Sequence, residues 1–256
     1  MIYPGTLALS RAHLTHLADL LRGHRNRIGS RWRRLAPGRQ ALLVLAHLRN
    51  GDTYTRLAEG FAVGTTTVWR YVREAVDLLA AQAPTLGAAL WRLAQNGHAL
   101  GILDGTVVPI DRLSGPQDRR YYSGKHRRHG VNLQALVDPR RGELVWISPG
   151  LPGSTHDLTA ARIHRIITAA DRAGVELLAD KGYQGAGGTV TTPYKGRKLT
   201  KVQKAHNRMV NSLRGPGERG FAVLSAWRIF AQVRCCPRRV GRMAQAVLTL
   251  ELGEQS

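Results

Sequence analysis

Cysteine is nearly missing from this 256-residue sequence, which has two, Cys235 and Cys236, side by side. Neighbours of that kind rarely bridge, and two thiols cannot build a disulfide scaffold or, without a second Cys/His cluster, a structural zinc site. The expectation is a reducing, cytoplasmic setting. Acidic residues are also scarce: 17 Asp plus Glu stand against 38 Lys plus Arg, a net charge of +21. An excess of that size gathers polyanions, because each phosphate neutralised releases condensed counterions. Nucleic acid is the natural partner. An anionic membrane surface is the rival, but no apolar run approaches the ~20 residues needed to span a bilayer, and no cleavable leader opens the chain. Internal repeats and low-complexity tracts are lacking too. All the lysines fall between Lys125 and Lys204, whereas Arg is spread over the whole chain; the heavy Arg usage reads as codon bias rather than as a special guanidinium role.

What is present divides in two. From Ser10 to about Leu79 apolar residues recur at helical spacing, with Leu14, Leu17 and Leu21 in one stripe. Leu42, Leu45, Ala46 and Arg49 continue it beyond a break at Pro37-Gly38. Residues 1–85 therefore read as a helical region. Within it, Thr53 to Ala80 has the pattern of two helices joined by a tight turn. Leu57, Ala58 and Phe61 would face inward from the first helix. Ala62-Val63-Gly64 makes the turn, and Thr65 is expected to cap a second helix whose inner face is Val68, Val72, Ala75 and Leu79. Thr66, Thr67, Trp69, Arg70 and Arg73 are left outside, where a helix-turn-helix presents side chains to a DNA major groove. A plain helical hairpin with a solvated basic face has the same pattern.

After Pro84 the pattern changes, and the second region is taken from residue 96. The stretches HALGILDGTVVPI, VNLQALVD and ELVWIS read as three strands joined by hairpins. A helix follows Gly153-Ser154-Thr155, with Leu158, Ala161, Ile163, Ile166 and Ile167 at helical spacing. VELLAD is then a fourth strand, TVTTPY a fifth, and the rest is helical again. A crossover through a helix makes the fourth strand parallel to one already in the sheet. If that neighbour is the first strand, Asp104 and Asp180 stand side by side. An acid at a strand end also simply meets water or caps a turn; holding a metal requires partners elsewhere.

Two close carboxylates repel unless a cation lies between them, and hard oxygen donors suit Mg²⁺ or Mn²⁺. Glu218 is the candidate third acid, because Asn207, Asn211, Arg214 and Glu218 recur at helical intervals. Gly215-Pro216-Gly217 threatens that stripe; alternatively Pro216 opens a new helix with Glu218 in its first turn. Glu176 and Glu251 are poorer substitutes. Asp157 reads as a first-turn acid stabilising the helix dipole rather than a metal ligand, and His156 is ambiguous for the same reason. Lys125, His126, Arg127, Arg128 and His129 form a basic run suited to phosphates or simply to water. Lys181 beside Asp180 is a second candidate DNA contact, Arg214 a third; Tyr183 and Trp227 read as packing.

Taken in order, ILDGT, YYSGKHRRHGVNLQALVD, LPGSTHDLTAAR, LLADKGYQG, TPYKGRK and HNRMVNSLRGPGERGFAVLSAWRIF resemble the successive blocks of DDE transposases. The sequence is most similar to the bacterial insertion-sequence group related to Harbinger elements. The resemblance implies an RNase H-like mixed α/β fold over residues 96–256, preceded by the all-α helix-turn-helix region. It also implies catalytic, metal-binding Asp104, Asp180 and Glu218 holding two Mg²⁺ or Mn²⁺ ions, double-stranded DNA as partner, and a homodimer or larger assembly on the DNA. The implied reaction is metal-dependent cleavage at element ends followed by strand transfer into target DNA. A nuclease that cuts without joining, or a non-enzymatic DNA-binding regulator, are the alternatives.

Overall fold

Ser10, Thr53 and Thr200 begin three helices by one chemistry: each hydroxyl accepts a hydrogen bond from the amide three residues on, at His13, Arg56 and Gln203. Each satisfies a donor that the helix itself cannot. The computed structural model describes residues 8–30, 33–95, 99–113, 115 and 118–254. His98, where the first strand is expected to begin, and residues 96 and 97, where the second region is expected to open, lie outside them.

Helices α1 (Arg11–Arg27), α2 (Pro37–Asn50), α3 (Tyr54–Phe61) and α4 (Thr65–Ala80) belong to one compact unit, which ends in this part of the chain at Ala83. Leu224–Gln232 and the residues from Arg242 onward also count with it, although they lie within the 96–256 stretch that the sequence assigns to catalysis. Trp227 gives the reason. Its indole is fully buried, donates to Glu251 Oε1 at 2.6 Å, meets the His13 ring edge-on and lies under the Arg49 guanidinium. α2 is not merely striped. Ala41, Leu43, Val44, Leu45, Ala46 and Leu48 are all buried while Leu42 is only half-buried, the signature of a central helix. Each Leu so buried contributes about 1.5–3 kcal/mol.

The second unit comprises Pro84–Val223 and Val233–Gly241. Its elements are α5 (Leu86–Gln95), β1 (Leu100–Pro109), α6 (Asp118–Tyr121), β2 (Tyr122–Ser123), β3 (Arg128–Asp138), β4 (Glu143–Ile147) and β5 (Leu151–Pro152). Then come α7 (Asp157–Ile163), α8 (Ile166–Ala173), β6 (Glu176–Ala179), β7 (Val190–Thr191), α9 (Lys201–Arg214) and α10 (Gly217–Ser225), the last ending in the first unit's part of the chain. α11 (Val240–Glu254) closes the chain. The sheet runs β2-β3-β1-β6-β7, with β4 and β5 also on the outer edge of β3. β1 and β3 are antiparallel, whereas β1, β6 and β7 are parallel. The mixed α/β sheet with flanking helices, behind a helical region, is the fold class expected. Leu90, Leu93, Leu103, Leu136, Ile166 and Leu177 pack in the core between the sheet and α5 and α8.

The single helix expected after Gly153 is two. Arg165 adopts a left-handed φ of 56° and redirects the chain between α7 and α8. Ile166 and Ile167 thereby reach the core, while Ile163, expected inside, is exposed at the end of α7. Among the described residues no helix is long and apolar enough to cross a membrane.

Candidate functional site

The register of β1 against β6 builds the site. Leu103 pairs with Ala179 on the parallel neighbour, so Asp104 and Asp180 are the next residues in step where β6 ends. Each carboxylate is fixed by a glycine amide: Gly105 N–H donates to Asp104 Oδ1 at 2.9 Å and Gly182 N–H to Asp180 Oδ1 at 2.7 Å. Asp180 thus also caps the one-turn 3-10 helix Lys181–Tyr183, so turn capping and a place in the acid cluster coexist. Asp104 is half-buried. Burial pushes its carboxyl above the ordinary range; the Gly105 amide and Arg214 oppose the shift, while the charges of Asp180 and Asp157 add to it.

Asp157 is the residue that sequence reasoning undervalued. It opens α7, whose cap is His156 with its ring nitrogen accepting from the Leu158 amide. Asp157 does stand in the first turn of α7, and its carboxylate is buried and bonded to the sheet as well. Asn132 Nδ2 donates to its Oδ1 at 2.9 Å and Lys125 Nζ to its Oδ2 at 3.1 Å. Behind it, Gln134 Nε2 donates to Asn132 Oδ1 at 2.8 Å, and the Tyr183 hydroxyl donates to Gln134 Oε1 at 2.5 Å. Burial, aided by Asp157, Asp104 and Asp180, raises the Tyr183 phenol well above its usual range, so it stays a neutral donor. The sequence does carry a signal for this network. Asn132 and Gln134 are polar residues two apart within residues 131–137 of β3, whose other members are apolar, and hence on one face. Gly105 makes room for it: a Cβ there would collide with Asp157 and sit 2.9 Å from Gln134 Nε2.

Glu218 is not carried on the expected stripe. α9 ends at Arg214 and α10 begins at Gly217, so the Gly-Pro-Gly break interrupts the helix and Asn207, Asn211, Arg214 and Glu218 do not form one continuous face. Asn207 instead brackets the Tyr194 backbone, accepting from its N–H at 2.7 Å and donating to its carbonyl at 3.0 Å. Glu218 stands exposed in the first turn of α10, as in the alternative of a new helix, except that the helix opens at Gly217 and not at Pro216. Gly217 and Gly220 let α10 lie close on Ile102 and Val137, a pair of facing residues on β1 and β3. Ile102 is two positions from Asp104 on β1, on the same face. Arg214 brings its guanidinium to 3.6 Å from Asp104 Oδ2. The substitutes are placed elsewhere: Glu176, bonded by the Thr191 hydroxyl, starts β6 where Asp180 follows its end, and Glu251 is taken by Trp227 in the helical unit.

Whether these residues suit a metal is a question of donor chemistry. Mg²⁺ takes one or two carboxylates and completes its octahedron with waters and substrate phosphate oxygens. Asp104 and Asp180 match that donor set; burial is the main cause of the raised Asp104 carboxyl, and a cation between the two acids would offset both that cost and their repulsion. Among the described residues no group of three or more His, Cys, Asp or Glu side chains is arranged to hold an ion.

The basic candidates are spread around this centre. Lys125 and Arg127 lie in the turn between β2 and β3, where Arg127 takes a φ of 51°. Arg128 at the start of β3 donates to the Val107 carbonyl at 3.1 Å, which ties it to β1. Partial burial works against the Lys125 charge, but the Asp157 bond and the charges of Asp157, Asp180 and Asp104 outweigh it and hold the ammonium above its usual range. Lys181 is exposed beside Asp180.

In the helical unit, α3 buries Leu57, Ala58 and Phe61, and α4 buries Val68, Val72, Ala75 and Leu79, the faces read from the sequence. Ala62 makes the turn in the left-handed region at φ 53°. The cap of α4 is Gly64 and not Thr65, which is its first helical residue. Gly64 supplies no side-chain acceptor, which leaves the Thr65 and Thr66 side chains exposed at the helix start with Trp69, Arg70 and Arg73. Thr67 is half-buried, and the Arg73 guanidinium lies 5.2 Å from the centre of the Trp69 ring.

Comparison with known proteins gives two family matches. Residues 103–251 match the family described as DDE superfamily endonuclease, and residues 33–85 match the helix-turn-helix of DDE superfamily endonuclease. Over 185 residues the chain is 27% identical to the probable transposase for insertion sequence element IS702 of Microchaete diplosiphon, covering 68% of this chain and 64% of that protein. The chain therefore spans less than two thirds of that relative's length. No solved structure matches.

Proposed function

The chain belongs to the DDE superfamily of endonucleases, and from that premise we propose that it is a transposase that cuts DNA at the ends of its element and joins the freed ends to target DNA. The observation that carries the proposal is the parallel pairing of Leu103 with Ala179, which sets Asp104, midway along β1, in step with Asp180, the residue that follows β6. The sheet holds two carboxylates near enough to repel one another, and a bound cation would relieve that repulsion.

In this account Asp104 and Asp180 hold Mg²⁺ or Mn²⁺, with Glu218 approaching from α10 as third ligand. Bound divalent ions supply Lewis acidity toward the scissile phosphate and lower the pKa of water. The chain's own residues do the rest. The Gly105 and Gly182 amides fix the carboxylates, while Arg214, Lys181, Lys125, Arg127 and Arg128 offer cations to the phosphate backbone. The domain plan is 1–85 for recognition, about 53–80 being the helix-turn-helix, and 96–256 for catalysis. Thr66, Thr67, Arg70 and Arg73 on α4 face duplex DNA, and bringing two ends together calls for a homodimer or larger assembly.

The test is a labelled duplex carrying an element end, incubated with Mg²⁺ and a target plasmid. Joined product is the expected result. Cut ends that never join would mean a nuclease, and intact duplex bound at full affinity would mean a regulator.

A further inference from the structure

Lys125 ends a column of hydrogen bonds that runs through the sheet of the second unit. Tyr183, Gln134 and Asn132 are buried to within a few per cent of complete exclusion, and each donates to the next member of the chain that ends on Asp157. Both Asp157 oxygens are engaged, one by Asn132 and the other by the Lys125 ammonium. The carboxylate therefore has one orientation available. It also lies beside the acid pair: a Cβ at Gly182 would be 2.8 Å from Asp180 Oδ1 and 3.4 Å from Asp157 Oδ2. The Lys125 side chain is 61% exposed, so a long, flexible side chain bonded to Asp157 stands within the field of Asp157, Asp180 and Asp104.

We propose that Lys125 is a tethered cation that neutralises the acid site in the DNA-free protein and is drawn off Asp157 by incoming phosphate, so that divalent ions load more tightly once DNA is bound. The inference rests on Asp104 and Asp180 being metal ligands. An ammonium near the site opposes a divalent ion by direct Coulomb repulsion. A phosphodiester competes with Asp157 for the same ammonium, because both are oxyanions and the DNA brings many. Arginine at the same position keeps the charge, whereas methionine keeps most of the stem and removes it.

The experiment is Mn²⁺ binding to the full chain without DNA, followed by electron paramagnetic resonance, in the wild type, Lys125→Met, Lys125→Arg and Asp104→Asn. Binding that Asp104→Asn removes counts as site binding, and thermal melts confirm that each variant is folded. Lys125→Met is expected to bind Mn²⁺ about 3- to 10-fold more tightly, the size expected for removing one charge ~7 Å from a divalent ion in water-like surroundings. Lys125→Arg should stay near the wild type. Adding a duplex that lacks an element end should tighten the wild type more than Lys125→Met. Asp104-dependent binding that is equal or weaker in Lys125→Met overturns this inference alone. The lack of any Asp104-dependent binding in all the variants overturns the metal-site reading and this inference with it.

Discussion

Asp104 and Asp180 are brought together by strands that share no loop, because Leu103 of β1 pairs in parallel with Ala179 of β6. Burial and the neighbouring charges raise the Asp104 carboxyl, so the folded protein binds that proton more tightly than the unfolded chain does. Stability is therefore lost as pH rises from the ordinary carboxylate value through the raised one, and at neutral pH the Asp104 charge costs stability. In chelator, Asp104→Asn should melt above the wild type near pH 7, with the gap closing in acid. Added Mg²⁺ should raise the wild-type melting temperature and leave the variant unchanged. A variant that melts lower at every pH would show that Asp104 is structural.

Gly105 is predicted to tolerate nothing larger. A methyl group there meets Asp157 and Gln134, both fixed by the buried column, and the strand cannot shift without breaking its pairing with β3. Gly105→Ala should lose about 1–3 kcal/mol, the usual cost of overpacking a fixed core, as measured by urea unfolding. An unchanged midpoint would mean that the polar column yields easily.

On the helical unit, Arg70 is exposed at the start of α4 beside Thr66 and Trp69. Arg70→Ala should weaken duplex binding, and if the contact is to phosphate it should lower the salt slope of the affinity by about one. Fluorescence anisotropy from low to moderate salt reads both. Unaltered affinity and slope would place the DNA on another surface.

The two cysteines should differ in reactivity. Burial, with Cys236 alongside, pushes the Cys235 thiol up to about 11, whereas Cys236 is exposed. At pH 8 a thiol reagent should modify Cys236 quickly and Cys235 slowly, since the thiolate is the reacting form. Two equally fast thiols would contradict the burial of Cys235.

Much of the fold was legible because its signals are local. The apolar faces of α3 and α4 follow a period of 3.6, and apolar runs lead into both Asp104 and Asp180, so the elements and the approach of their acids were foreseen, although β1 continues past Asp104 to Pro109. What stayed hidden depends on tertiary partners. Nothing in residues 153–173 announces the left-handed Arg165 that splits the helix. Trp227 was read correctly as core, but its partners His13, Arg49 and Glu251 are distant in sequence. Asp157 was read as a helix-dipole acid because its position in a first turn is visible in sequence, whereas its bonds to Asn132 and Lys125 exist only in the folded chain.

The most direct measurement is metal-dependent cleavage of a labelled element-end duplex by the wild type, Asp104→Asn and Asp180→Asn, with folding checked by circular dichroism. Each variant should lose at least about 100-fold in rate while keeping its fold and its duplex affinity, as expected when a stabiliser of developing charge is removed. Mg²⁺-dependent cleavage that survives at the wild-type rate in either folded variant would contradict the account.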